Sequence, residues 1–122
     1  MESVYDLYQR GCELLELGDH HSAIVPLSKA RDLEPGKASI REALGRALFH
    51  ARRYDGAAAE FQAIAAEAPT NDYALFCLGR SMQLMGRHRE ACKPLALACS
   101  LRPEREDYRR YRDRARRAAE GH

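Results

Sequence analysis

The side chains of this 122-residue chain that could do chemistry are four cysteines, five histidines and a concentration of arginines near the C-terminus. Thiolates and imidazoles bind metals or act as nucleophiles and bases, but each use needs a particular spacing. Neither C-x-x-C nor H-E-x-x-H occurs. Cys92 and Cys99 lie seven residues apart, on one side of a helix, where thiols behave as small apolar groups. Core packing is the stronger reading of that pair, and a metal site completed by Cys77 or His88 the weaker one. A Gly-rich phosphate loop and a nucleophile elbow are also missing from the sequence. We therefore assign no catalytic, metal-binding or cofactor-binding residue, and expect neither an enzyme nor a cofactor.

The arginines raise a different possibility. Arg105, Arg109, Arg112 and Arg116 recur at three-and-four spacing and would form one basic stripe on a helix. Such a stripe could bind phosphates or an acidic partner. Glu106, Asp107 and Asp113 stand within one turn of most of these arginines and can pair with them, so a solvated helix face is the simpler reading. Overall charge is +2, which demands no polyanion. The N-terminus MESVYDLYQR contains acids and no apolar leader, and no run approaches the length of a membrane span. The expectation is a soluble cytoplasmic protein with reduced thiols and no membrane partner.

What positions these residues is a repeat. Pro35, Pro69 and Pro103 are 34 residues apart, as are Gly11, Gly45 and Gly79, and Ala23, Ala57 and Ala91. Leu27, Phe61 and Leu95 keep the same interval, and residues 4–37 share eleven identities with 72–105. In the middle copy, Ile40, Ala43, Leu44, Ala47, Leu48 and Ala51 mark one amphipathic helix; Ala57, Ala58, Phe61, Ile64 and Ala65 mark a second, which Pro69 ends. Gly in a helix interior costs about 1 kcal/mol relative to Ala, so its recurrence predicts a close crossing, with the recurrent alanine as partner and Leu27, Phe61 and Leu95 one turn further on. Pro26 and Pro94 recur at one phase and predict a tolerated bend near the start of the second helix. His20 and His88 share a phase with Tyr54 at the turn within each hairpin, which reads as structure.

This pattern resembles the tetratricopeptide repeat (TPR) family, whose 34-residue signature places Leu-Gly in the first helix, Ala-x-x-x-Phe in the second and Pro at the end. Leu44-Gly45, Leu78-Gly79, Ala57 to Phe61 and the three prolines match. The family's early tryptophan is replaced by Leu7, Arg41 and Leu75, and its tyrosine after the glycine by Leu14, Leu48 and Met82. The resemblance implies an all-α, right-handed α-solenoid of three antiparallel helical hairpins, forming a single domain over 1–122 with repeats at about 4–37, 38–71 and 72–105. Helices are expected near 3–17, 20–33, 38–51, 54–67, 72–85, 88–101 and 105–119. The last carries an apolar stripe of Tyr108, Tyr111, Ala115, Ala118 and Ala119 and is read as a cap, because terminal repeats need a polar outer face.

The resemblance also implies a protein-interaction scaffold that receives a peptide, helix or protein segment in the concave groove lined by the first helices. Three rows beside the glycines are the candidate partner-binding residues: Tyr5, Ser39 and Tyr73; Tyr8, Glu42 and Phe76; Cys12, Arg46 and Arg80. Aromatics and arginine are what binding surfaces enrich. The competing reading is that Tyr5, Tyr8, Tyr73 and Phe76 pack between neighbouring helices. Some TPR domains clamp the terminal carboxylate of heat-shock chaperones with Lys, Asn and Arg. The matching positions here are Tyr8, Cys12, Ala43, Tyr73 and Cys77, which disfavours that mode and favours an apolar or aromatic segment, with an acid for Arg46 or Arg80. The alternative is a nucleic-acid-associated or acidic-partner protein acting through Arg105, Arg109, Arg112 and Arg116.

Overall fold

Each 34-residue copy requires two helices, and the computed structural model, which describes residues 2–121, contains them. Among the described residues there are seven α-helices and no strand: α1 (Val4–Glu16), α2 (His20–Leu33), α3 (Ala38–His50), α4 (Tyr54–Glu67), α5 (Asp72–Leu84), α6 (His88–Leu101) and α7 (Glu106–Glu120). Every boundary lies within one residue of its expected place. The chain divides into two compact units, residues 1–60 and 61–122, with the division inside α4.

In the first unit α2 packs against both α1 and α3, and Leu7, Ala30 and Ile40 form a buried cluster covered by Val4 and Tyr8. In the second, α6 packs against both α5 and α7. Ala65, Leu75, Ala98, Cys99 and Tyr108 form one buried cluster there, and Ala91, Leu95 and Ala115 another. Cys99 is therefore core and Cys92 is half-buried, its thiol 3.3 Å from the His88 carbonyl; all four cysteines are free.

Local chemistry fixes the helix ends. Ser3 and Asp6 form a reciprocal capping box at α1; Asp19 accepts from the Ser22 amide (3.2 Å) and Asn71 from the Ala74 amide (3.0 Å). The three turns within the hairpins share one geometry. The amides of Asp19, Arg53 and Arg87 reach back five residues to the carbonyls of Leu14, Leu48 and Met82, at 2.9, 2.8 and 2.9 Å. The residue before each closes a shorter bond and has positive φ: Gly18 at +78°, Gly86 at +78° and, without a glycine's freedom, Arg52 at +63°.

The recurrent helix glycine has a different partner from the one expected. A Cβ on Gly11 would lie 2.4 Å from Leu27 Cγ, and one on Gly79 would lie 2.5 Å from Leu95 Cγ. The leucine, rather than the alanine, sits directly over the glycine. Ala23, Ala57 and Ala91 are themselves completely buried. The prolines also require a correction: Pro26 and Pro94 are the seventh residues of uninterrupted 14-residue helices, in the middle rather than near the start. Each is buried, and each withholds an N–H from the carbonyl four residues earlier, a cost that close packing offsets.

At the matching position of the middle copy stands Glu60, 4% exposed. Its carboxylate accepts from Arg31 Nη1 (2.6 Å) and Arg41 Nη1 (2.9 Å), and Arg41 Nε donates to the Pro35 carbonyl (2.8 Å). Arg41 thus fills the site of the family's tryptophan with an ion pair. Two repeats, or 68 residues, further on, Arg109 likewise donates to the Pro103 carbonyl, from Nη1.

Candidate functional site

Within the first unit, α1 and α3 bring several of the candidate residues together. Tyr5 is 63% exposed. With Tyr8, Ser39, Glu34 and Lys37 it lines a cleft of about 290 Å³. Tyr8 is half-buried on the Leu7, Ala30 and Ile40 cluster. Burial pushes its phenol pKa up; a hydrogen bond with Cys12 and the charges of Cys12 and Glu42 push the same way, while a bond with Ser39 opposes them. Tyr5, Tyr8, Cys12, Ser39 and Glu42 are therefore one group. Arg46 is exposed and stands apart from it, near His50. The His50 ring stacks on His20 with centroids 4.5 Å apart, and partial burial, then His20 and Arg46, lower its pKa. The Nδ1 atoms of His20 and His88 are both buried without a hydrogen-bond partner.

The second unit treats its candidates differently. Tyr73 is 38% exposed and meets Phe61 edge-on at 6.2 Å. Phe76 stacks on Tyr108 at 4.5 Å and touches the edge of Tyr111 at 5.7 Å. Arg80 lies 3.9 Å above the Tyr111 ring and donates to Gln83 (3.0 Å), whose amide in turn donates to the Tyr111 carbonyl (2.9 Å). Phe76 and Arg80 thus pack between α5 and α7. The sequence marked the tyrosines of α7 as part of a capping stripe and gave interhelix packing as the competing reading of Phe76; it gave no sign that Arg80 would lie over Tyr111.

The basic stripe is partly neutralised by its own helix. Arg105 holds Asp107 through two bonds (2.9 and 2.7 Å) and lies 4.5 Å over the Tyr108 ring. The Arg105 hydrogen bond keeps the Asp107 carboxyl below its ordinary pKa. Arg112 pairs with Asp113 at 3.0 Å, Arg109 is committed to the Pro103 carbonyl, and Arg116 is exposed. Tyr108 is fully buried and donates to Asp72 (2.7 Å); burial first and that carboxylate second raise its pKa. Among the described residues no group of three or more His, Cys, Asp or Glu side chains could hold a metal, and no helix is long and apolar enough to cross a membrane.

Periodicity, hairpin geometry and the glycine–leucine contacts define a helical-repeat protein. The model of the tetratricopeptide repeat matches residues 8–72, more than half of the chain, and the chain belongs to that family. Its fold is that of the TPR α-solenoids. It is similar to MamA (residues 41 to the end) from Desulfovibrio magneticus RS-1, with 26% identity and a TM-score of 0.86 over 97% of this chain and 71% of that one. The first TPR of Spaghetti (RPAP3), solved bound to an HSP90 peptide SRMEEVD, superposes with a TM-score of 0.86 at 17% identity, covering 95% of this chain and 92% of that one. Among curated proteins it is similar to Superkiller complex protein 3 of Mus musculus, 28% identical over 100 residues. That match covers 82% of this chain and 6% of the relative's length.

Proposed function

We propose that the protein is an interaction module that receives a protein or peptide segment on the faces of its first helices, principally the face formed by α1 and α3. The observation that carries this reading is Tyr5, a large aromatic side chain 63% exposed beside a cleft that it shares with Tyr8 and Ser39. An exposed aromatic next to a recess is the arrangement that anchors a partner's side chain, because the ring supplies contact area at little conformational cost. Tyr73 is a separate exposed aromatic on α5 of the second unit. Cys12 and Glu42 flank Tyr8, and Arg46 supplies an exposed cation for an acid in the partner. Phe76 and Arg80 contribute through their packing with α7.

The peptide in the Spaghetti structure, SRMEEVD, ends in two glutamates, a valine and a terminal aspartate. The positions here that match a chaperone-tail clamp, Tyr8, Cys12, Ala43, Tyr73 and Cys77, present no lysine, asparagine or arginine, so an apolar or aromatic segment fits better. The experiment is affinity capture from the native lysate with the wild type, Tyr5→Ala with Tyr73→Ala, and Arg105→Glu with Arg116→Glu. Loss of a partner from the tyrosine variant alone, with an unchanged melting curve, supports the reading. Loss from the arginine variant alone transfers the function to the stripe of Arg105, Arg109, Arg112 and Arg116. A steep salt dependence would then mark a nucleic acid.

A further inference from the structure

The second unit contains a larger recess on a different surface. It is a cleft of about 470 Å³ whose floor is Leu75, Leu78 and Met82 of α5 with Pro94 and Leu97 of α6, and whose far wall is the C-terminal part of α4. A recess of this size with an apolar floor is of the kind that receives ligand groups or partner side chains. The space exists because of particular residues. At the positions where the middle copy has Arg41 and Glu60 joined by an ion pair, the third has Leu75 and Pro94, two shorter apolar groups. Leu97 is 43% exposed, so the apolar surface continues outward from the floor.

The rim is basic. Arg89 and Lys93 line the cleft, both are exposed, and neither has an ion-pair partner among the described residues. Glu90, the acid beside them, is held by Arg87 through two bonds of 2.9 and 2.6 Å. The charge left for a partner to meet is therefore positive, on one edge of an apolar trough. We propose that this cleft docks a short acidic segment of a partner protein, with paired leucine-like side chains entering the trough and carboxylates meeting Arg89 and Lys93. The site uses none of the Tyr5, Tyr8 and Ser39 group, so it is a second docking surface and does not depend on the first.

Selection from a display library of randomised nonapeptides tests it, followed by fluorescence anisotropy on the enriched peptides. Enrichment of sequences that combine Asp or Glu with two large aliphatic residues is expected. Their affinity should fall by about tenfold or more in Arg89→Glu with Lys93→Glu, a change confined to exposed side chains. Leu97→Glu, on the exposed apolar edge of the trough, should remove binding independently, whereas Tyr5→Ala should leave it unchanged. Selected peptides without acids, affinity indifferent to charge reversal, or no enrichment at all would each overturn the proposal. Sedimentation showing that the wild type dimerises and that the charge-reversed variant does not would also overturn it, by making a second copy of the chain the occupant.

Discussion

The middle and third copies of the repeat have the same helices and different means of holding them. Where the third has Leu75, Gly86 and Pro94, the middle one has Arg41, Arg52 and Glu60. The third hairpin relies on apolar contact and leaves an open trough. The middle one closes the equivalent contact with a buried carboxylate between two guanidinium groups, Arg31 and Arg41. Apolar packing and a satisfied ion pair are interchangeable in shape, yet they fail differently when disturbed. Shortening an apolar group leaves a gap, whereas deleting one charge leaves its partners buried and uncompensated.

The largest expected effect is on that charge cluster. Glu60→Ala should destabilise the chain by about 1–3 kcal/mol, because it leaves the part-buried Arg41 without its carboxylate, while Arg31 keeps Asp32 (3.0 Å) as a partner. Urea denaturation measures this directly. Arg41→Leu together with Glu60→Pro, which installs the third copy's residues in the middle one, should recover more than half of the loss. No recovery would mean that the two solutions are not equivalent. In the third copy the corresponding stress is steric. Gly79→Ala puts a methyl group 2.5 Å from Leu95 Cγ and should cost about 1–3 kcal/mol in thermal melting.

Two smaller effects run through the turns and their neighbours. Arg52 holds a φ of +63° at the position where Gly18 and Gly86 need no compensation, so Arg52→Gly should stabilise by about 1 kcal/mol, while Gly86→Arg should destabilise. The smallest effect depends on pH. The His50 pKa is lowered in the folded chain, so on acidification the unfolded state takes up the proton first. The contribution is complete above the ordinary histidine pKa of 6.5 and is lost as pH falls below it. Melting scans at pH 7.5 and 5.5 should show a drop in the wild type that His50→Leu reduces, since Leu84 occupies this phase in the third copy.

The helix pattern was legible because proline, glycine and alanine recur at a fixed interval, and each acts on the backbone or on close approach. That is why α2, α4 and α6 begin and end where the sequence analysis placed them. The glycine's true partner was harder to identify, since Leu27 and Ala23 lie on the same face of α2 and spacing alone cannot say which side chain points at Gly11. The Glu60 cluster was not legible: it joins residues 29 and 19 positions apart, and nothing in the pattern of Arg31 or Arg41 marks a buried charge. Packing of Phe76 between neighbouring helices was the competing reading of the sequence; that Tyr108 and Tyr111 are what Phe76 and Arg80 meet was not legible, for a related reason. The repeat interval puts both on α5 and α7 over the third copy, but which side chains of α7 meet them depends on residues outside the repeat signature. The 470 Å³ cleft arises from volumes that are absent at Leu75 and Pro94, which a search for recurring groups does not detect.

The turn at Arg52 has a consequence for the covalent chain. Arg52 and Arg53 are consecutive, both exposed, and neither is in an ion pair among the described residues, whereas Arg87 in the third turn is tied to Glu90. An exposed tip bearing two basic residues in a conformation unfavourable to one of them is where a trypsin-like protease should cut first. The first products would be residues 1–52 or 1–53 and their complements, separating α1 to α3 from α4 to α7. In a cell, a protease of that specificity would open the middle hairpin at its own turn, between α3 and α4, and Arg52→Gly would remove one of the two cleavage points as well as the strain.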